Sequence, residues 1–223
     1  MGSHFIPDRC VIVDMIGSNT LIRGNMPLIA PDDHYALSEI SAASGVNMAG
    51  KRFIEIPIID NVGERDQFTA IIQAFGVDPE GYPTSFWPWW QQPGYNPDTQ
   101  RGTILTTEDH SISGSFIWRP FEGLPANTDS DLFLYAPGWD FDGFITMVVD
   151  LLYTCEDTVI YVHCQLGADR TGAFHIGYLM NAHGLDLETA IKEASDATPA
   201  GAPNADYIRL VTAYADSFKS ISR

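Results

Sequence analysis

The feature that most restricts the fold is a strand that runs straight into a short loop and a helix, over 157–183. The run DTVIYVHC is β-branched and apolar, which predicts a strand covered on both faces. Helical spacing resumes at about 170 and ends at Gly184. A covered strand belongs to a sheet flanked by helices, and this one delivers Cys164 to the carboxyl edge of its sheet.

The other segments also alternate between strand and helix patterns. We predict further strands at 11–17, 52–60 and 114–121, and further helices at 31–45, 64–76, 140–155, 186–196 and 204–219. This order predicts a three-layer α/β fold with a central, largely parallel sheet flanked by helices. Because no Ser/Gly linker divides the chain, residues 1–223 are expected to form a single domain.

The segment 61–114 does not fit this alternation and is predicted to be an insertion within the domain. From 77 to 102 it is dense in Pro, Gly and aromatic residues, which is typical of a loop excursion. The aromatic part, SFWPWWQQPGY at 85–95 within 82–95, has two interpretations. One is a lid or rim that contacts an aromatic substrate group or a partner protein, and the other, which we favour, is a loop pinned by buried tryptophans.

Composition excludes several classes of function. The net charge of -17 argues against nucleic acid and anionic membrane surfaces as partners. No apolar run approaches the ~20 residues of a membrane span, and the histidines show no metal-ligand spacing. Three scattered cysteines favour a reducing compartment, the cytoplasm. No secretory signal is visible, but the opening MGSH is typical of a cloning remnant, so secretion of the natural protein stays open as an alternative.

The loop after the covered strand has the length and composition of an anion-binding site. Cys164 and Arg170 are separated by Gln165, Leu166, Gly167, Ala168 and Asp169. Five residues at a helix N-terminus can turn their N–H groups inward around a small tetrahedral anion, and phosphate fits. Arg170 offers a planar fork to two phosphoryl oxygens and, with the helix end, stabilises a thiolate. The sequence therefore predicts a phosphate-binding loop with an ionised nucleophile at Cys164.

Two neighbours of this loop are expected to support it. Thr171 lies in the first helical turn, where its hydroxyl is expected to hydrogen-bond the sulfur. His163 is expected to orient the loop through a ring N–H to a backbone oxygen. Cys10 and Cys155 are interpreted as inert structural thiols.

The string HCQLGADRTG resembles the signature loop of the cysteine-dependent protein tyrosine phosphatase superfamily. The stretch 21–46 is similar to the early strand-turn-helix element of its dual-specificity and bacterial branches, and 170–195 to the helix pair after the loop. The resemblance covers about 21–60 and 115–219. It implies the phosphatase fold and hydrolysis through a phosphocysteine at Cys164, without cofactor or metal. The implied substrate is a phosphorylated protein or a small phosphomonoester.

The resemblance also implies a general acid, usually an aspartate on a mobile loop some thirty residues before the cysteine. The family's Trp-Pro-Asp is absent here. Asp131 stands 33 residues before Cys164 and is our first choice, with Asp129 second. Asp140 and Asp142 are interpreted as helix N-terminal residues. Asp169 resembles a residue of related loops that acts in catalysis or holds the loop, and both roles stay open.

The charge of the loop bears on the substrate. QLGAD contains no lysine and adds a carboxylate, which favours protein phosphotyrosine, with phosphoserine and phosphothreonine as further substrates. One alternative is a phosphoinositide or inositol-polyphosphate phosphatase, whose extra phosphates would require convergence of Arg23, Lys51, Arg52, Arg101 or Arg119. The other alternative is a catalytically weak pseudophosphatase that binds phosphorylated partners.

Overall fold

A mixed sheet organises the residues that the computed structural model describes, which are 4–29, 34–59, 104–106, 113–117, 119, 121, 123–124, 126–127 and 140–221. The strands of this part of the chain are β1 (Val11–Ile16), β2 (Asn19–Gly24), β3 (Leu28–Ile29), β4 (His34–Tyr35), β5 (Arg52–Pro57), β6 (Ile104–Thr106), β7 (Ser113–Phe116) and β8 (Thr158–His163). The sheet has the order β1-β2-β8-β5-β7-β6, and β3 and β4 form a separate antiparallel pair.

The four inner strands of the sheet run parallel. β8 pairs with β2 on one side and β5 on the other, and β5 pairs in turn with β7. The two outer strands, β1 and β6, are antiparallel to their neighbours. All six residues of β8 are buried, as expected for a strand with neighbours on both sides and cover on both faces.

Helices cover the sheet. In the described residues they are α1 (Leu37–Ser44), α2 (Phe141–Thr154), α3 (Asp169–His183), α4 (Leu187–Asp196) and α5 (Ala205–Ile221), with a 3-10 turn at Pro7–Arg9. α2 and α3 pack against β2, α3 also contacts β8, and α4 and α5 pack on α3. α1 contacts β1 and the 3-10 turn. The predicted α/β class, a largely parallel sheet flanked by helices, is confirmed.

The core reaches the carboxyl edge of the sheet through Tyr161. Its ring stacks on Phe53 of β5 with centroids 6.2 Å apart, while its hydroxyl donates to the Asn25 carbonyl at 2.8 Å. A buried phenol needs such a partner, since an unsatisfied hydroxyl costs about 1–3 kcal/mol. The hydrogen bond ties the core of β8 to the segment that follows β2.

Most predicted elements are confirmed, and the differences lie in the first half of the chain. The helix predicted over 31–45 begins only at Leu37, because residues 34–35 pair as β4, although Gly45 ends it as expected with φ 73°. β2 was not predicted from residue pattern. Residues 104–106 and 113–114 of the predicted insertion lie in the sheet, so its extent stays a prediction. The predicted helix 64–76 lies outside the described residues.

Candidate active site

Three neighbouring strands end at the same edge of the sheet. Gly24 at the end of β2 is in register with His163 at the end of β8, and His163 is in register with Pro57 at the end of β5. The chain segments that follow these strands are therefore neighbours, and Cys164 begins the central one. Open α/β sheets bind ligands at this edge.

The loop after β8 turns back onto its own cysteine. Cys164 is only 3% exposed, and the Gly167 N–H donates to its Sγ at 3.2 Å. α3 starts at Asp169, and no side chain caps its N-terminus. The first N–H groups of a helix lack intrahelical partners and carry the positive end of the dipole. This arrangement favours an anion bound beside the sulfur.

Gly167 is required by the shape of the loop. Its φ of 67° lies in the left-handed region, where a side chain is strained. A Cβ at this position would lie 2.9 Å from the Gly24 carbonyl oxygen and 3.0 Å from the Asn25 nitrogen. Backbone cannot move aside as the end of a side chain can, so the loop passes the end of β2 too closely for any residue with a Cβ.

Arg170 belongs to the same loop and is anchored to a distant strand. It is half-buried, and its Nη1 donates to the Ile58 carbonyl at 3.1 Å, just beyond the end of β5. The hydrogen bond joins residues 112 apart in sequence. It directs the guanidinium toward the carboxyl edge of the sheet, where the cysteine also lies.

Thr171 braces the loop in a different way from the one expected. Its hydroxyl accepts from the Cys164 backbone N–H at 3.0 Å and donates to the Gly24 carbonyl at 3.3 Å. A hydroxyl has one proton to donate, and here it is donated in the hydrogen bond to the Gly24 carbonyl. The expected hydrogen bond to the Cys164 sulfur is therefore replaced by one to the cysteine backbone.

His163 makes the contact predicted for it and one that was missed. Its Nδ1 lies 3.3 Å from the Cys164 carbonyl oxygen, and its Nε2 lies 2.8 Å from Oε1 of Glu55. Both side chains are fully buried. Burial, opposed by hydrogen bonds from His163 and Tyr35, raises the pKa of Glu55. A neutral Glu55 would donate to Nε2, leaving the ring proton on Nδ1 for the Cys164 carbonyl.

We expect the free energy of unfolding of Glu55→Gln to lie within ~1 kcal/mol of wild type at pH 7, because the glutamine amide also donates to His163 Nε2. Glu55→Leu leaves that nitrogen buried and unpaired and is expected to cost about 3 kcal/mol. Urea unfolding of the three proteins measures both differences. If glutamine destabilised the fold as much as leucine, Glu55 and His163 would instead be an ion pair.

Gln165 and Asp169, two of the remaining loop residues, have structural contacts. The Gln165 carbonyl accepts from the Met26 N–H at 3.3 Å, and Leu166 is 53% exposed at the rim. Asp169 Oδ1 accepts from the Asn204 N–H at 2.8 Å, which ties the start of α3 to the segment between α4 and α5. This contact supports the loop-holding alternative for Asp169.

The two favoured general acids, Asp131 and Asp129, lie outside the described residues, so both stay predictions. Asp140 is confirmed as a helix cap, since its Oδ1 accepts from the Gly143 N–H at 3.0 Å at the start of α2. Asp142 lies in the first turn of the same helix, as expected.

Two of the basic residues considered for extra phosphate lie away from the loop, whereas Arg119 lies at its edge of the sheet, since its N–H donates to the Pro57 carbonyl at 3.0 Å. Lys51 and Arg52 lie at the start of β5, at the opposite edge of the sheet from Pro57 and the loop. Arg101 lies outside the described residues, and the Arg119 Nη2 lies 3.5 Å from Met147 Sδ. Arg23 is fully buried.

Arg23 has a structural position that sequence reasoning missed. Its Nη2 donates to the Gly167 carbonyl at 2.8 Å, and its Nη1 lies 3.2 Å from Nδ1 of His175. The signal available in the sequence was an arginine inside the apolar run LIRG. A charge within a covered strand is rare without a specific partner.

The fold should lose stability in acid through His175. Burial and, secondly, Arg23 lower its pKa from 6.5 to about 3. Between these values the unfolded chain binds a proton that the folded protein excludes, so stability falls as pH falls, by up to ~1.4 kcal/mol per pH unit. We expect His175→Asn, which keeps an acceptor for Arg23, to flatten this dependence. Urea unfolding at neutral and mildly acid pH compares the two; parallel curves would contradict the assignment.

Within the described ranges, no group of three or more His, Cys, Asp and Glu side chains could hold a metal ion. No helix of the same residues combines the length and the apolar character that crossing a bilayer requires.

Comparisons with known proteins identify relatives of part of the chain. No family model matches it. Over 50 residues, 22% of the chain, it is 36% identical to Dual specificity protein phosphatase 1 of Arabidopsis thaliana and covers 25% of that protein. Over 59 residues, 26% of the chain, it is 32% identical to Dual specificity protein phosphatase 19 of Mus musculus and covers 27% of that protein. The chain thus spans between 9% and 27% of the curated relatives it matches.

A solved structure extends the likeness to the whole fold. A kinase associated phosphatase, with its catalytic site cysteine substituted by serine, has a TM-score of 0.52 to this chain. The two are 12% identical, and the match covers 99% of this chain and 98% of that one. At this identity the comparison shows a shared fold.

Proposed function

Because the chain belongs to the cysteine-dependent protein tyrosine phosphatase superfamily, we propose that it hydrolyses phosphate monoesters at the loop 164–170, with protein phosphotyrosine as its principal substrate. Phosphoserine and phosphothreonine are proposed as further substrates. The observation that carries the proposal is the Gly167 N–H donating to the Cys164 sulfur, in a loop that heads an uncapped helix and contains Arg170.

The proposed reaction has two displacements at phosphorus. The Cys164 thiolate attacks, the bond from phosphorus to the ester oxygen breaks, and a general acid protonates the departing oxygen. Water then attacks the phosphocysteine, its proton passes to the same carboxylate, and the S–P bond breaks to regenerate the thiolate. Arg170 and the loop N–H groups stabilise the equatorial oxygens in both steps.

Asp131 is proposed as the general acid, with Asp129 as the second candidate. We expect Asp131→Asn to lower kcat about 100-fold or more on an alkyl phosphate, whose leaving oxygen needs the proton. On an aryl phosphate with a good leaving group the loss should be small. Asp129→Asn is the matched control, and a larger effect there would exchange the two assignments.

The distribution of charge supports a singly phosphorylated group as substrate. The chain carries a net charge of -17, and the loop itself adds Asp169 to the site. Of the cations considered for further phosphates, Lys51 and Arg52 lie at the opposite edge of the sheet and Arg23 is buried. Arg119 lies nearer, because its N–H donates to the Pro57 carbonyl at 3.0 Å, so among the described residues of this set a second phosphate would have this one further cation beside Arg170.

A substrate panel tests the proposal. Phosphate release would be measured with phosphotyrosyl, phosphoseryl and phosphothreonyl peptides, inositol polyphosphates and vesicles containing phosphoinositides. We expect the highest kcat/KM with phosphotyrosyl peptides. Preference for the inositol compounds would overturn the substrate assignment. Binding of a phosphopeptide without release from any substrate would show a pseudophosphatase.

The state of the cysteines supports a reducing, cytoplasmic compartment as part of the proposal. Cys10, Cys155 and Cys164 are free thiols. Burial raises the pKa of Cys10 to about 12, which keeps that thiol protonated and unreactive.

A further inference from the structure

A fully buried arginine lies behind the loop and has only neutral partners. Arg23 is 0% exposed and donates to the carbonyls of Gly167 at 2.8 Å and Ala194 at 3.4 Å. Its third partner is Nδ1 of His175, a ring that burial keeps neutral, and its Nε is buried without a partner. Among the described residues no carboxylate pairs with it. Buried cations in proteins are normally paired with an anion.

The negative charge that acts on Arg23 is that of Cys164, the proposed nucleophile. Burial lowers the pKa of Arg23 to about 10, the negative charge of Cys164 opposes this shift, and Arg9 adds to it. The guanidinium is therefore charged at neutral pH. Since Cys164 is 3% exposed, little water screens the attraction between the two.

Other titratable and charged groups act on this pair directly or through a neighbour. Arg9 and His175 interact with Arg23, and Tyr161 interacts with Cys164. Cys10, Tyr35 and Glu55 interact in turn with Tyr161, and His163 with Glu55. Arg170 ends the loop that begins at Cys164. Arg9 and Arg170 are partly exposed, so Arg23 is the one fully buried cation of this set.

Arg23 also fixes the donor that contacts the sulfur. Gly167 is held at both of its polar groups, because its carbonyl accepts from Arg23 while its N–H donates to Cys164 Sγ at 3.2 Å. The carbonyl contact restricts the backbone rotations at Gly167, whose φ of 67° is left-handed, and so limits movement of its N–H away from the sulfur.

We propose that Arg23 is a positioning residue for Cys164: its guanidinium holds Gly167 in place and supplies the buried positive charge that stabilises the thiolate. The inference rests on the proposed function only in taking Cys164 as the nucleophile. Arg23 acts from beneath the loop, because its complete burial keeps it from the substrate.

The experiment measures thiolate formation separately from turnover. Wild type, Arg23→Met, Arg23→Lys and Lys192→Met, all as the full chain, would be alkylated with iodoacetamide across the pH range in which each is folded. Peptide mass spectrometry assigns the modification to Cys164. Lys192 is the matched control, because its side chain is 76% exposed on α4 and loses the same charge. Kcat and KM would be measured with an aryl phosphate.

We expect the pH midpoint of alkylation to rise by about one unit or more in Arg23→Met, a tenfold loss of thiolate below it. Arg23→Lys keeps the charge but not the planar fork, so its midpoint should stay near wild type while kcat falls about tenfold at similar KM. Lys192→Met should match wild type in both measurements.

A folded Arg23→Met protein with the wild-type midpoint would overturn the proposal. If that variant fails to unfold cooperatively, Arg23→Lys decides, and wild-type kcat in it would overturn the positioning role. A low midpoint that rises in Arg23→Met upholds the inference even if wild type releases no phosphate. That last result would reject the proposed function instead.

Discussion

Cys164→Ser is expected to lower phosphate release from an aryl phosphate by about 10⁴- to 10⁶-fold, the range typical of a lost nucleophile. A serine hydroxyl stays protonated where a thiol at a helix N-terminus ionises. The loop N–H groups and Arg170 are retained, so the variant should still bind a phosphotyrosyl peptide. Steady-state assays and calorimetric titration measure the two properties.

The matched control for this substitution is Cys155→Ser. Cys155 follows the last residue of α2 as a half-buried free thiol, away from the loop. We expect its replacement to leave kcat/KM at the wild-type value. Substantial turnover in Cys164→Ser would reject the phosphocysteine mechanism altogether.

Arg170→Lys is expected to lower kcat by about 10³-fold, although the charge is conserved. The ammonium group is a point charge and lacks the planar fork that matches two phosphoryl oxygens. It also cannot reproduce the fork while donating to the Ile58 carbonyl, which Arg170 Nη1 contacts at 3.1 Å. The loss should fall on kcat more than on KM, because the equatorial charge grows in the transition state.

Arg52→Lys makes the same chemical change at the other edge of the sheet, where β5 begins. Its kinetic constants should equal those of wild type. Equal losses in Arg170→Lys and Arg52→Lys would show that the effect is general to the fold and would remove Arg170 from the proposed machinery.

The sheet centre and the loop could be predicted because their signals are local. The six residues of β8 do not alternate between buried and exposed positions, since all six are buried, and the helix that follows has regular spacing. By contrast, β2 contains Asn19, Thr20 and Arg23, three polar residues that the fold buries. The hydrogen-bond partners of Asn19 and Arg23 lie more than 130 residues away in sequence, so the local residue pattern does not predict the strand.

Sequence separation also explains which contacts of the site were predicted and which were missed. Cys164 and Arg170 stand six positions apart and can be interpreted together from the sequence. The hydrogen bond between His163 and Glu55 spans 108 residues, and the one from Arg23 to Gly167 spans 144. Neither contact leaves a pattern in a single sequence. The start of α1 was missed for a different reason, because residues 34–35 pair with β3 only five to seven positions earlier although Pro31, Asp32 and Asp33 are typical of a helix start.

The loop is therefore not a portable unit. Its glycine rests on β2, its histidine on β5 and its arginine on the segment after β5. If residues 163–171 were grafted onto another strand and helix, their sequence would be unchanged but their geometry would be lost. Conversely, a chain with an intact HC-x5-RT string but an apolar residue in place of the buried arginine would match in a motif search, yet under the proposed role of Arg23 it would form about tenfold less thiolate. Competence for this chemistry is better judged by the strands around the signature than by the signature alone.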